Sequence, residues 1–182
     1  MPVDGPLPHP FLDCSRPISA GQSGNVWYRS APDLPGEVCD QSATIIPSGT
    51  PIFLSTLDDE ASSLDAPPFN DTTAAGQLAI AQQFANYIED LFVTVDGVPV
   101  TDVTAYRTTT AQFTFDAPTP WISNTTGGIG TGVGDGYFLM LKLFSPDPHT
   151  IHYGGRFHIP ESVFGMPVDI AKDTTLMITV GR

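Results

Sequence analysis

Apolar residues in this chain recur in short runs that alternate with polar positions, which is the pattern of β-strands with one buried face. Between residues 175 and 180, for example, Leu176, Ile178 and Val180 occupy every second position. The same reasoning predicts strands at residues 25–29, 44–46, 51–55, 92–95, 98–100, 103–108, 112–115, 137–144, 150–153, 156–159 and 175–180.

Turn signals separate these predicted strands. Asp96-Gly97 indicates a two-residue hairpin, and Pro99 places the returning strand at a sheet edge. Gly154-Gly155 predicts a second hairpin, between strands 150–153 and 156–159. Residues 137–144 are apolar at every position except Lys142, so we expect this strand to be buried on both faces, between the opposing sheet and a helix.

One segment has helical spacing instead. Its apolar residues recur at intervals of three and four, at Leu78, Ala81, Phe84, Ala85, Ile88 and Leu91. The preceding segment, residues 70–73, contains Asn, Asp and Thr, which favour turns and helix N-caps. This pattern predicts one amphipathic helix over about residues 73–90.

These elements predict a mostly β fold, a jelly-roll-like β-sandwich of two antiparallel sheets with a single helix. The 18 prolines and 17 glycines agree with many turns and few long helices. A chain of 182 residues fits one domain, which we place at residues 25–182. Residues 1–24 contain five prolines and are expected to form an extended N-terminal arm.

The charge balance excludes several partners. Seven basic residues against 20 acidic ones give a formal net charge of -13. Nucleic-acid binding depends on Lys and Arg contacts to phosphates, and anionic membranes attract basic surfaces, so neither partner is expected. The sequence also contains no apolar run long enough to span a membrane.

Cys14 and Cys39 are the two cysteines, and neither belongs to a C-x-x-C motif. We expect them to form a structural disulfide, which favours an oxidising location outside the cytoplasm. The alternative is two separate buried thiols. A disulfide closing this loop would stabilise the fold by about 3.5 kcal/mol.

A glycine-rich stretch at residues 127–136 invites comparison with phosphate-binding loops. It matches neither the G-x-G-x-x-G spacing nor the Gly-Lys-Ser/Thr ending that those loops require. We therefore expect a flexible loop before the strand at 137–144.

Acidic residues gather in the next candidate site, which comprises Asp58, Asp59, Glu60 and Asp65. Several carboxylates in one loop are suited to Ca²⁺, so calcium is the one cofactor that the sequence suggests. A solvated acidic loop is the alternative. Two of the same carboxylates would also serve a glycosidase if the fold brought them to the right separation.

His152 and His158 would meet across the predicted turn at Gly154-Gly155. Two histidines are an incomplete metal site, and ordinary strand histidines are the alternative.

Three aromatic residues, Trp121, Tyr28 and Tyr153, are candidates for stacking against sugar rings, because their faces are apolar and their edges form hydrogen bonds. Trp121 adjoins a polar segment, which favours its exposure. The alternative is that these rings belong to the core.

Several segments together resemble a family of uncharacterised secreted bacterial proteins, cyanobacterial and environmental. The matching segments are GQSGNVWY at 21–28, IPSG at 46–49, IFL at 52–54, VDGVPV at 95–100, YR at 106–107, DGYFLML at 135–141 and HTIHYGG at 149–155. The resemblance implies export and a single compact domain, and it assigns no catalytic residues. The family commonly has a cysteine just before its equivalent of residues 46–49, where this chain has Thr44.

The sequence therefore predicts a secreted or cell-surface domain without catalytic activity, with a binding or structural role. Its expected partners are a glycan, another surface protein or copies of itself. The alternative is a secreted hydrolase that acts on a polysaccharide or polyester through the acidic residues or through His152 and His158.

Overall fold

The computed structural model describes residues 14–20, 22, 24–29, 35–121, 125–142 and 145–181. In chain order its elements are β1 (Trp27–Arg29), β2 (Glu37–Ile46), β3 (Ile52–Ser62), α1 (Ala74–Ala85), β4 (Ile88–Val95), β5 (Val98–Pro99), a 3₁₀ helix (Val103–Tyr106), β6 (Arg107–Thr109), β7 (Phe113–Ala117), β8 (Gly128–Leu141), β9 (Pro148–Ile159), α2 (Glu161–Phe164) and β10 (Val168–Val180).

The strands form two five-stranded sheets, which confirms the predicted two-sheet, mostly β architecture. In the front sheet the order is β1-β3-β8, and β6 and β7 both pair with the far edge of β8. In the back sheet the order is β2-β10-β9-β4-β5. Six of the eight pairings among the described strands are antiparallel, as predicted, whereas β1 pairs with β3 and β2 with β10 in parallel. β2 belongs to the back sheet and lies between β1 and β3 in the chain. The chain therefore returns to the front sheet in its original direction, so β1 and β3 are parallel.

The main core lies between the sheets. Ile52, Leu54 and Leu139 from the front sheet join Ile151, Tyr153 and other residues from the back sheet in one buried cluster. A second cluster forms where α1 packs on the front sheet and includes Leu57 and Phe84. The described residues contain no helix long and apolar enough to cross a membrane.

The N-terminal segment contributes to the main core. Cys14 and Ile18 are buried in it, and Gln41 of β2 bonds to the backbone of both residues. Cys14 is joined to Cys39 of β2 by a disulfide, with a Cα–Cα distance of 5.1 Å, as predicted. Most of the predicted arm, residues 1–13, lies outside the described residues.

The glycine-rich segment is part of a strand, so the prediction of a flexible loop at 127–136 is wrong. β8 begins at Gly128 and pairs with β3 as far as Gly132. Neighbouring side chains cover these glycines, and a residue with a Cβ would collide with them at several positions. Glycine is therefore required at these positions because neighbouring strands and side chains approach the β8 backbone closely, and not because the segment is flexible.

The strand predicted to be buried on both faces is buried on one. Tyr137 and Leu139 of β8 face inward, whereas Phe138 is half-buried and Met140 is 44% exposed on the outer face. Among the described residues no second layer covers these apolar outer positions, and Phe138 and Met140 line a groove instead.

Helix α1 confirms the helical prediction but ends early. Thr73 caps its N-terminus by accepting a hydrogen bond from the Gly76 amide, at 3.0 Å. The predicted continuation to residue 90 is wrong, because Ile88 begins β4 and pairs with Phe157. The buried side of the helix also differs from the predicted one, because Leu78 is exposed and Gln77 is fully buried.

Three other predictions need correction. β9 is continuous, so Gly154-Gly155 forms no hairpin turn; a Cβ at Gly154 would collide with the Lys172 carbonyl, and glycine lets β10 approach. Residues 103–106 form a 3₁₀ helix, and the strand begins only at Arg107. The predicted acidic loop starts later than expected, because residues 58–60 belong to β3.

Candidate functional site

An open groove crosses the outer face of the front sheet and has a volume of about 460 Å³. Strands β3, β6, β7 and β8 and the residue Thr110 contribute to its lining. The lining residues are Phe53, Asp58, Glu60, Thr108, Thr110, Phe113, Gly134, Phe138 and Met140. The groove therefore combines apolar rings with two carboxylates and two hydroxyl groups.

The glycines of β8 form the floor of the groove. Successive strand residues alternate between faces, so Gly132 and Gly136 share the outer face with Gly134. A Cβ on Gly132 would lie 2.6 Å from the Glu60 Oε1 atom, and one on Gly136 would overlap the Asp58 side chain. The two carboxylate side chains thus lie against bare backbone.

Aromatic side chains on the outer face form two rows of three rings. The first row is Tyr28, Phe53 and Phe138, and the second is Phe113, Phe115 and Trp121. Neighbouring ring centroids are 5.5 and 5.4 Å apart in the first row. In the second row they are 6.1 and 5.6 Å apart. Contacts at this distance are favourable for aromatic pairs, so each row is a continuous surface.

Strand register places the carboxylates between the two rows. Phe115 and Phe113 pair with positions 130 and 132 of β8, and Phe53 pairs with position 140. Glu60 and Asp58 pair with the intervening positions 134 and 136. A ligand that lay along both rows would therefore pass over the carboxylates.

Asp58 and Glu60 have different environments. Asp58 accepts a hydrogen bond from the Ser55 hydroxyl. Burial, followed by the nearby charges of Asp65 and Asp58, raises the pKa of Glu60 to about 7. Glu60 therefore carries a proton for a substantial fraction of the time near neutral pH.

Asp59 lies on the opposite face of β3, which α1 covers. Burial raises the pKa of Asp59 to about 8, and the nearby negative charges of Asp58 and Glu60 add to this effect. Its Oδ2 atom is buried and has no hydrogen-bond partner among the residues that the structure describes. Asp59 is thus part of the support behind the groove and not of its lining.

Arg107 of β6 connects the strands that line the groove to the C-terminal end of α1. Its Nε atom lies 2.6 Å from a carboxylate oxygen of Asp135, whose side chain is 2% exposed. The guanidinium also donates to Asn86 Oδ1 at 2.8 Å and to the Gln82 carbonyl at 3.3 Å. Thr109 donates a hydrogen bond to the second oxygen of Asp135. This network holds β6, β8 and the end of the helix together.

The three predicted aromatic candidates have different positions. Tyr28 is exposed and belongs to the first row of rings. Trp121 is half-buried in the second row, where its Nε1 donates to Asp65 at 3.1 Å. Tyr153 requires correction: it is fully buried in the core, because its position in β9 faces the opposing sheet, and its ring has no surface for a ligand.

The four predicted calcium ligands do not converge. Asp58 and Glu60 face the groove and Asp59 faces inward, while Asp65 accepts a hydrogen bond from Ser62 at 2.7 Å. Within the described part of the chain, the one set of three candidate metal-binding atoms within 4.8 Å comes from Cys14, Glu37 and Cys39, and its two sulfurs are bonded to each other. The geometry gives the calcium prediction no support.

The two candidate histidines are also apart. Because β9 is continuous, His152 and His158 are six strand positions, or roughly 20 Å, from each other. Each instead pairs with an aspartate of β10, His152 with Asp173 and His158 with Asp169, both at 2.7 Å. Both are cross-strand side-chain pairs on the exposed surface of the back sheet.

Most of the groove residues have no distinguishing sequence pattern. Phe53, Phe113, Phe138 and Met140 were not singled out, because apolar residues in predicted strands were assigned to the core. For Phe138 and Met140 the available signal is that residues 137–141 are apolar on both faces, although one face of this strand lines the groove.

No family model, curated protein or solved structure matches this chain.

Proposed function

We propose that the protein is an exported carbohydrate-binding domain whose groove holds a polysaccharide chain. The observation that carries this proposal is the pair of aromatic rows on either side of Asp58 and Glu60. Aromatic faces stack on the apolar faces of sugar rings, and the carboxylates and the hydroxyls of Thr108 and Thr110 provide hydrogen bonds to sugar hydroxyls.

The length of the platform favours a chain over a single sugar. The paired positions run from 130 to 140 of β8. Ten residues of strand extend about 33 Å. Rings at both ends therefore support binding along a polymer.

The negative charge of the groove and of the whole chain limits which polysaccharides can bind. The groove contains two carboxylates, with Asp65 nearby, and the whole chain has a net charge of -13. Polyanionic polysaccharides would be repelled. A neutral polysaccharide is the ligand that these features favour.

Export is supported by the Cys14–Cys39 disulfide and by the resemblance to secreted bacterial proteins. The exposed rings are also compatible with a surface protein or with self-association, since apolar patches frequently mark protein interfaces. The carboxylates between the rows favour the glycan.

Affinity electrophoresis against soluble β-glucan, xylan, mannan, glycol chitin and pectin tests the proposal. We expect retardation by at least one neutral polysaccharide and none by pectin. Phe138→Ala and Tyr28→Ala should each weaken binding about five- to tenfold.

Phe164→Ala is the matched control, because Phe164 is a partly exposed ring on α2 outside the groove. It should bind as the wild type does. Migration unaffected by every polysaccharide, or ring variants that bind normally, would refute a glycan function; concentration-dependent sedimentation would then indicate self-association.

A further inference from the structure

His149, near the start of β9, has a hydrogen-bond partner at both nitrogens of its imidazole ring. The Nδ1 atom lies 2.8 Å from the Asp96 Oδ2 atom, and the Nε2 atom lies 2.8 Å from the backbone carbonyl oxygen of Ser145. His149 is only 8% exposed, so its ring is largely shielded from solvent. One buried ring therefore connects two other parts of the chain.

The two partners of the ring belong to different parts of the fold. Asp96 lies in the turn between β4 and β5 of the back sheet, and Ser145 lies in the connection from β8 of the front sheet to β9 of the back sheet. The turn is itself bonded to β9, because the Thr150 amide donates to Asp96 Oδ1 and the Asp96 amide donates to the Thr150 carbonyl, both at 2.8 Å. His149 thus fastens the connection between the sheets to a turn that β9 already holds.

Neither partner can donate a hydrogen bond to the ring. A backbone carbonyl is only an acceptor, and so is an ionised carboxylate. Asp96 is ionised, since hydrogen bonds from the His149 ring and from the Thr150 amide lower its pKa. Both ring nitrogens of His149 must therefore carry a hydrogen, and an imidazole ring with two N–H groups is a cation.

The surroundings of the ring agree with this protonation state. Burial by itself lowers the pKa of His149. The hydrogen bonds to Ser145 and Asp96, together with the negative charges of Asp96 and Asp147, outweigh burial and raise the pKa above its ordinary value of 6.5. The paired position of β10 is Ile178, which carries no charge.

We propose that His149 is a pH-operated clamp, whose cationic ring holds the β8–β9 connection against the β4–β5 turn and whose neutral ring releases that connection. A neutral imidazole has one N–H group and cannot donate to both partners. It should keep the charge-assisted bond to Asp96, which is the stronger of the two, and lose the bond to Ser145. The clamp does not depend on the proposed carbohydrate binding.

The direction of the pH effect follows from the raised pKa. The folded protein holds the His149 proton more tightly than the unfolded chain does. The stabilisation by the clamp is therefore complete below about pH 6.5 and is lost as pH rises through the folded-state pKa.

Long-range ¹H–¹⁵N NMR spectra of the imidazole rings test the protonation of His149, whose signals are identified by their absence in His149→Phe. The midpoint of its titration should lie above 6.5 in the wild type. In Asp96→Asn the midpoint should fall, because the negative partner is removed. A wild-type midpoint at or below 6.5 would overturn the proposal.

Amide hydrogen exchange at pH 6 and pH 9, corrected for intrinsic rates, tests the release. The Val180 amide donates to the carbonyl of Asp147, which lies in the same connection as Ser145, at 3.0 Å. Protection of the Val180 amide should fall about two- to tenfold at pH 9, the effect of one lost hydrogen bond, whereas protection of the Asp96 amide should change little. Equal changes at both amides, or none at Val180, would contradict the clamp.

Two variants complete the exchange experiment. His149→Phe keeps a ring but has no N–H group, so its Val180 amide should exchange at the faster corrected rate at both pH values. His158→Gln is the matched control, because His158 pairs with Asp169 at 2.7 Å on the exposed surface of the same strand. It should keep the wild-type pH dependence, and a control that loses this dependence would overturn the assignment to His149.

Discussion

Asp59 of β3 and Asp135 of β8 lie directly opposite each other in the antiparallel register of the front sheet. Asp135 is paired with Arg107 at 2.6 Å, whereas the buried Oδ2 of Asp59 has no hydrogen-bond partner in the described part of the chain. The negative charge of Asp135 is therefore balanced by Arg107, whereas Asp59 avoids a buried negative charge by remaining protonated. This asymmetry makes the stability of the sheet depend on pH.

The protein should lose stability as pH rises from about 4 to about 8. The pKa of Asp59 is raised to about 8 in the folded state, from an ordinary value of 3.8. Folding therefore holds a proton that the unfolded chain releases, so the contribution is complete below pH 4 and is lost as pH passes through 8. Glu60, with a pKa of about 7, acts in the same direction.

Asp59→Asn isolates this effect. The variant should be more stable than the wild type at pH 9, by on the order of a few kcal/mol, and should differ less at pH 5. Urea unfolding at both pH values measures the difference. Asp116→Asn, at an exposed position of β7, is the control; if it changes the pH dependence as much as Asp59→Asn does, Asp59 is not the source.

Arg107 should matter far more to stability than Arg156. Arg107→Ala leaves the buried Asp135 without its cation and should lower the free energy of unfolding by on the order of 3 kcal/mol. Arg156 pairs at 3.0 Å with Glu89 and Asp90 on the exposed side of the back sheet, so Arg156→Ala should cost at most about 1 kcal/mol. Equal losses in chemical denaturation would contradict the assigned role of Arg107.

The groove floor offers a matched pair of glycine variants. A Cβ on Gly136 would overlap Asp58 and the Leu57 carbonyl, so Gly136→Ala should destabilise the protein by about 1–3 kcal/mol. A Cβ on Gly134 has its nearest neighbour at 3.6 Å, so Gly134→Ala should change stability by no more than about 0.5 kcal/mol. Thermal melts compare the two, and a Gly134 variant as unstable as the Gly136 variant would show that the floor is packed differently.

The Cys14–Cys39 disulfide should stabilise the fold by about 2–4 kcal/mol, because it closes a loop with a sequence separation of 25. Reductant should lower the melting temperature of the wild type. The double variant Cys14→Ala/Cys39→Ala should already melt at the lower temperature and should not respond to reductant. A wild type that is insensitive to reductant would indicate that the bridge contributes nothing.

Sequence patterns identified local features well. Alternation in residues 175–180, the Asp96-Gly97 hairpin and the edge position of Pro99 are all present in the structure. Each depends on chemistry within a few neighbouring residues. The two-sheet architecture follows from the number of such strands.

The candidate site depended on contacts that the sequence does not display. Gly132 and Gly136 were interpreted as flexible, because the side chains of Glu60 and Asp58 that cover them come from a strand more than 70 residues earlier. Gln77 lies outside the apolar stripe of the predicted helix, yet it is fully buried and its amide donates to the Thr131 carbonyl at 2.9 Å. Long-range register, and not local propensity, decides both features.

A two-dimensional amide NMR titration of the wild type with the neutral polysaccharide fragment that binds best shows directly which surface of the protein the ligand contacts. Binding in the groove should produce chemical-shift changes concentrated at Phe53, Phe113 and Phe138 and along β8, with little change in β9 and β10. Changes that cluster on the back sheet or at α2, with the front sheet unaffected, would contradict a carbohydrate-binding groove on this face.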